Sequence, residues 1–221
     1  MSSSVPPLLS SAEVKRVDAL TAERFGIPTD WLMEAAGWQI ARHVDGSAAV
    51  VCGVGNNAGD GLAAARHLQR WGRLSGVSCV DASRLSGTAR RELEALLKLG
   101  IEVADELHLE DATVVVDAIF GTGLSRAPEG KFAEWIEAIN ASGKEVVSVD
   151  VPSGLDADSG LAYAPFVRAD VTVTLGLPKP GLATFGGRVL VVDIGVPFEA
   201  YVAVGVNVPR DLFASGDVLT L

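Results

Sequence analysis

Histidine and cysteine are scarce in this chain, three of one and two of the other in 221 residues, and each scarcity closes off a chemistry. Cys52 and Cys79 stand far apart and match neither a disulfide framework nor a zinc spacing, so both read as small core residues of a reducing compartment. His43, His67 and His108 lie in unrelated contexts, which argues against a transition-metal site. His67, in an alanine-rich stretch, reads as a packing or surface residue rather than a base. Aromatic residues are only 6%; Trp31, Trp38, Trp71 and Trp135 read as core or interface anchors, the first two as candidates for a subunit contact. Basic residues number 18 against 28 acidic ones, so a net charge of −10 leaves no concentrated basic face for duplex nucleic acid or an anionic membrane. A small anion is still compatible, because a few backbone amides hold a phosphate locally. No run approaches the ~18 apolar residues of a membrane span. The first seven residues lack the basic-then-apolar pattern of a secretory leader, and a cytoplasmic protein is the expectation.

What is present is an ordinary globular balance, 48% apolar and 21% charged, in a length that suits one sizeable core. A single domain over residues 1–221 is expected. Ser10 or Ser11 caps a first helix carrying Val14, Val17 and Leu20, and a second runs over 31–43 with Leu32, Ala35, Ala36 and Ile40 on one side. Apolar runs then alternate with helical patterns. Strands are expected at 48–52, 77–80, 114–120, 145–149, 171–175 and 189–194, and helices at 61–71, 88–99 and from about 132 to Gly143. The strands carry no polar alternation, which predicts an α/β fold of six or seven strands, mostly parallel and covered on both faces. Pro178-Lys179-Pro180-Gly181 reads as a turn with Lys179 exposed, since its prolines cannot join a central ladder.

Three loops carry chemistry. Gly53-Val54-Gly55-Asn56-Asn57-Ala58-Gly59-Asp60-Gly61 lies between a strand and a helix, where small residues let backbone amides approach a phosphate. It lacks the usual dinucleotide fingerprint and the lysine of a P-loop; a plain strand-to-helix turn capped by Asp60 accounts for it equally well. Asp117 sits late in an apolar strand ahead of Gly121-Thr122-Gly123, and an unpaired carboxylate there would cost several kcal/mol or take up a proton. Backbone amides could instead satisfy it. Asp150 closes another buried strand, with Ser153 three residues on. In open α/β sheets ligands bind beyond the carboxyl ends of the strands, so three such loops converge on one crevice. Asn57, Asp117 and Ser153 offer hard oxygens suited to potassium or sodium, or simply bond one another.

These residues, with Leu32-Met33-Glu34-Ala35-Ala36-Gly37 and the Pro178 to Gly181 turn, resemble the YjeF N-terminal domain family, the NAD(P)H-hydrate epimerases, over about residues 9–196. The resemblance implies a Rossmann-like three-layer α/β/α sandwich, usually dimeric, that interconverts the R and S forms of hydrated NADH and NADPH. It implies a substrate site of Asn56, Asn57, Ala58, Gly59 and Asp60, of Gly121, Thr122, Gly123, Leu124, Ser125, Arg126 and Ala127, and of Asp150. It implies a potassium ion on Asn57, Asp117 and Ser153, and partnership with an ATP- or ADP-dependent NAD(P)H-hydrate dehydratase. Asp150 is the expected general acid and base. Ala58 departs from the family's usual glycine, and its methyl group is tolerable if residue 58 avoids a left-handed backbone. A non-catalytic scaffold of the same fold is the rival reading, disfavoured because it would not need Asn57, Asp117, Asp150 and Ser153 together. A phosphotransfer enzyme is a third, disfavoured by the missing lysine.

Overall fold

Valine-rich runs without polar alternation have no face to offer solvent, so they must lie between two layers. The computed structural model, which describes residues 5–221, arranges them so. The strands are β1 (Ala48–Cys52), β2 (Leu74–Cys79), β3 (Val103–Ala104), β4 (Val114–Ala118), β5 (Glu145–Val149), β6 (Val171–Leu175), β7 (Arg188–Val192) and β8 (Val218–Thr220). They form one sheet in the order β3-β2-β1-β4-β5-β6-β7-β8, parallel throughout except for the antiparallel β7–β8 pair. Two strands exceed those legible in the sequence: β3 has two residues and β8 three, too short to leave an apolar run.

Strand pleating sorts the core into two faces. Val50, Cys52, Val116, Val147 and Val149 point one way, into a cluster with Ile40, Leu62, Leu68 and Leu93. Those partners come from α2 (Thr29–Arg42), α3 (Asn56–Arg70) and α4 (Gly87–Lys98). Val51, Val115 and Val146 point the other way, against Trp135, Ile136 and Ile139 of α5 (Lys131–Ala141). Each such side chain taken fully out of water contributes ~1.5–3 kcal/mol, and the entropy of ordering the chain offsets most of the sum. A third cluster joins α1 (Ser11–Glu23) to α6 (Phe198–Ala203) through Leu9, Val17, Leu177 and Tyr201. Among the described residues, no helix is long and apolar enough to cross a membrane.

The segment 56–60, expected as loop, is the first turn of α3. Its glycines serve contact rather than a turn: a Cβ on Gly61 would stand 2.5 Å from the Ala118 Cβ, and one on Gly59 2.6 Å from the Met33 sulfur. Ala58 accordingly sits in helical backbone, fully buried, and its methyl group meets no left-handed strain. The same logic brings α2 onto α3 at Gly37, where an added Cβ would lie 2.5 Å from the Ala63 Cβ and 2.7 Å from its carbonyl carbon. Alanine at an exposed helical site gains roughly 1 kcal/mol over glycine. At Gly37 the backbone clash outweighs that gain, so Gly37→Ala should destabilise the fold by ~1–2 kcal/mol. Urea denaturation checks this as a lower midpoint at unchanged slope; a raised midpoint would contradict the contact.

Candidate active site

In the sheet order, β1 feeds outward toward β3 while β4 returns on its other side, so the chain leaves these two neighbours in opposite directions. That switch point opens a crevice at the carboxyl edge. A cavity of about 410 Å³ lies there, within the range of small-molecule sites. The loops after β1 and β4 touch across it: the Gly53 amide donates to the Ala118 carbonyl at 3.0 Å, and a Cβ on Gly53 would overlap the Ile119 oxygen at 2.0 Å. α3 begins at the cavity with Gly55 as its N-cap and no side chain capping its first turn, so its amide end faces the cleft as an anion-binding feature.

Beneath the β4 loop, strand alternation places Asp117 and Ser148 opposite each other in register on β4 and β5. Asp117 is fully buried, and its carboxylate accepts from Ser148 Oγ (2.8 Å), Ser153 Oγ (2.6 Å), Ser153 N (2.9 Å) and Ile119 N (3.3 Å). Ser153 Oγ in turn accepts from Phe120 N at 2.8 Å. Burial pushes the Asp117 carboxyl up, and the hydrogen bonds from Ser153, Ser148 and Ile119 oppose that. Asn57 lines the cavity beside Gly121; it is 9% exposed, and its amide nitrogen has no partner. The oxygen-rich triad of the sequence is thus partly self-bonded, Asp117 to Ser153, and Asn57 reaches it only through the Gly121 loop.

Asp150 follows β5 with a φ of 65°, the one left-handed non-glycine among the described residues. Such backbone persists where the surroundings over-determine it, and aspartate tolerates it better than most residues. The surroundings here are explicit. Asp150 Oδ1 accepts from the Lys179 ammonium, from Leu175 N at 3.1 Å and from Thr174 Oγ1 at 3.3 Å. Lys179 also donates to the Leu175 carbonyl at 2.9 Å and to Thr174 Oγ1 at 3.2 Å. Asp150 Oδ2 has no partner among the described residues, and Asp150 lines the cavity.

Lys179, expected as an exposed turn residue, is 1% exposed and also lines the cavity. The prolines on either side hold it against the end of β6 instead of projecting it outward. No local signal in the sequence marks its burial, because its partner Asp150 lies 29 residues away. Asp18 of α1 is a second cavity residue that no motif announced. Asp18 keeps solvent access, yet partial desolvation beside the cavity wall and the charge of Asp150 push its carboxyl up to about 6, with Lys179 opposing. Asp60 is raised well above its ordinary value, chiefly by burial and then by Asp150 and Asp18.

Of the expected substrate residues, Asn56, Asn57, Asp60, Gly121, Thr122, Gly123, Leu124 and Asp150 line the cavity. Ala58 and Gly59 pack into the body of α3 behind it, and Ser125, Arg126 and Ala127 are exposed outside it. Asp117 and Ser153 lie under the loop rather than in the wall. His67 is buried edge-on to Trp38, consistent with packing.

With this geometry in place, comparison with known proteins is informative. The family described as YjeF-related protein N-terminus matches residues 29–181. A bifunctional NAD(P)H-hydrate repair enzyme Nnr from Thermofilum pendens is 46% identical over 208 residues, 84% of this chain and 40% of that protein. The chain therefore spans about 40% of the length of such bifunctional relatives. An NAD(P)H-hydrate epimerase from Rhodopirellula baltica is 35% identical over 210 residues, covering 87% of this chain and 86% of its own. The crystal structure of the yeast protein YNL200c superposes with a TM-score of 0.82 at 26% identity, over 97% of this chain and all of that one. The cleft at the switch point, the loops that build it and these likenesses agree: the chain belongs to the family of YjeF-related protein N-termini.

Proposed function

We propose that this chain interconverts the R and S epimers of hydrated NADH and NADPH, with Asp150 as the general acid and base. The observation that carries the reading is the state of that carboxylate. One oxygen is fixed by an ammonium, an amide and a hydroxyl, and the other is free at a cavity wall. Relatives of similar length, such as the Rhodopirellula baltica protein, bear the epimerase name.

In the hydrated ring the hydroxyl sits on a hemiaminal carbon. With Oδ2 first taking a proton from solvent, Asp150 gives it to that hydroxyl while the ring-nitrogen lone pair breaks the C–O bond, leaving water, a planar iminium and the Asp150 carboxylate. Water then adds to the opposite face and returns a proton to Asp150, so the catalyst is regenerated and only the configuration changes. The Lys179 ammonium keeps the carboxylate oriented through both steps. The pyrophosphate is met by the amide end of α3 and the Gly121 to Leu124 loop.

A potassium ion held by Asn57, Asp117 and Ser153 belongs to the same reading. These are hard oxygen donors, and the buried Asp117 has only neutral groups as hydrogen-bond partners. When bound, the ion would supply positive charge under the substrate loop. Two further parts of the proposal are a homodimer using Trp31 and Trp38, both exposed on α2, and cytoplasmic work beside an ATP- or ADP-dependent dehydratase. The dehydratase pairing is supported by relatives that are named bifunctional repair enzymes.

Asp150→Asn keeps the shape and the left-handed backbone while removing the proton carrier. Turnover of R epimer, followed as NAD(P)H recovery through an S-specific dehydratase, should fall ~10²- to 10⁴-fold with substrate binding retained. Near wild-type turnover would reject the assignment. For the ion, thermal unfolding in potassium chloride should be raised over choline chloride at equal ionic strength. A tenfold excess over Kd is worth ~1.4 kcal/mol, or roughly 3–6 °C at this chain length. Asp117→Asn should abolish the difference, and an equal difference in that variant would remove Asp117 from the site.

A further inference from the structure

The cavity has a wall that the family match does not include. Residues 29–181 supply the loops and Asp150, but α1 lies before them and still contributes Val14, Lys15 and Asp18 to the lining. This helix is fastened in place. Ser10 closes a capping box with Glu13, and Ser11 donates to the Asp158 carboxylate through its amide (2.7 Å) and its hydroxyl (2.6 Å). The Leu9 amide donates to the Pro178 carbonyl at 2.9 Å, one residue before Lys179. Val17, buried beside Asp18 in sequence, packs in the cluster that holds Leu177. Asp18 is therefore held in a fixed relation to the Asp150–Lys179 pair.

Its position is electrostatically unfavourable. Asp18, Asp60 and Asp150 face one cavity, and Lys179 pairs with Asp150 alone. Neither Asp18 nor Asp60 has a side-chain hydrogen-bond partner among the described residues, and each adds repulsion to its neighbours. The fold gains nothing from such a placement, and it leaves acceptor oxygens at the cavity open to a ligand. An independent sign of that ligand is Asn57, nine-tenths buried in the same lining with its amide nitrogen unpartnered. The ligand's phosphates do not belong beside carboxyl groups. They belong at the α3 amides, where Asn57 stands. What belongs beside Asp18 is a neutral hydrogen-bond donor; of those a dinucleotide offers (carboxamide, adenine amino group and sugar hydroxyls), the paired sugar hydroxyls are the ones carboxylates elsewhere hold in this way.

We propose that Asp18, carried by α1, is a substrate-binding and specificity-determining residue that accepts hydrogen bonds from the ribose hydroxyls on the nicotinamide side of the substrate, facing Asp60 across the cavity. This deepens the epimerase reading and rests on it. It gives the site a polarity: phosphates at the α3 end, sugar between Asp18 and Asp60, ring at Asp150.

The test is steady-state epimerisation of hydrated NADH enriched in the R form, coupled to an S-specific dehydratase, on wild type and on Asp18→Leu and Asp18→Asn. Asp18 is solvent-accessible on its helix, and equal melting temperatures will establish that the variants fold. Asp18→Leu should raise KM by roughly 10- to 100-fold, the worth of a hydrogen bond to a charged group, with kcat within about threefold of wild type. Asp18→Asn, which keeps an acceptor oxygen, should lose less. The hydrated dinucleotide lacking both hydroxyls on the nicotinamide-side ribose should lose a similar factor with wild type and almost nothing further with Asp18→Leu. Full additivity of the two losses would overturn the contact. So would an unchanged KM accompanied by a displaced pH profile, because Asp18 would then act only through the field it exerts on Asp60 and Asp150. A wild-type protein that recovers no NAD(P)H would reject the epimerase reading and this proposal with it, whereas an active wild type with an indifferent Asp18→Leu rejects Asp18 alone.

Discussion

The site depends on one buried carboxylate and the donors around it. Asp117 stands at the end of β4 with no exposure, and four hydrogen bonds from three residues converge on it. Through them the β4 loop, the β5 strand and the turn after Asp150 become one body, since Ser153 bonds Asp117 with its hydroxyl and amide and receives the Phe120 amide. A carboxylate withdrawn from water costs several kcal/mol unless each of its lone pairs is met. That demand is what makes the arrangement specific. A small displacement of either loop would leave a buried charge short of donors, so both loops are held in register with the sheet. Asp150 inherits its position, and its left-handed backbone, from that fixed turn.

The second constraint is electrostatic. The chain carries a net charge of −10, and its cavity carries three carboxyl groups, yet its proposed substrate is an anion. The two facts are compatible because the cavity also presents free backbone amides and an ammonium. Amide dipoles of α3 and the glycine loop offer positive ends to the cavity, and Lys179 pairs with one of its carboxyl groups, Asp150. Over such distances in a partly enclosed cleft, local dipoles and pairs outweigh a net charge spread over the surface and screened by salt. Asp60 and Asp18 are raised by burial and by their acidic neighbours, the mark of carboxyl groups that share one wall.

The sequence made the sheet legible because buried parallel strands leave continuous apolar runs, as in 48–52 and 114–116. It also made legible which strand ends bear the site, since glycine loops and aspartates fall after β1, β4 and β5. What it concealed follows from what local pattern cannot encode. The glycines of 59 and 61 look like loop residues, but their meaning is contact with Met33 and Ala118, distant in the chain. Lys179 looks like a solvated turn because nothing local reveals that Asp150 waits beneath it. Asp18 looks like any acid on an amphipathic helix, and only the tether of α1 to Pro178 and Asp158 brings it to the cavity. Each miss is a tertiary juxtaposition.

The buried Lys179 gives those juxtapositions a common logic. An ammonium with 1% exposure is stable only while its partners persist, and all of them, Asp150, Thr174 and the Leu175 carbonyl, belong to the rim of β5 and β6. Breaking such a pair by removing one member leaves an uncompensated buried charge, which costs ~3–5 kcal/mol, whereas the intact pair adds little net stability. The pair is therefore poorly explained as a device for folding. It is well explained as a device for orientation: it commits one carboxylate oxygen of Asp150 to the protein and leaves the other to the cavity. An isolated carboxylate in the same place could rotate, and it would not present one oxygen in one direction to the hydroxyl of the proposed substrate.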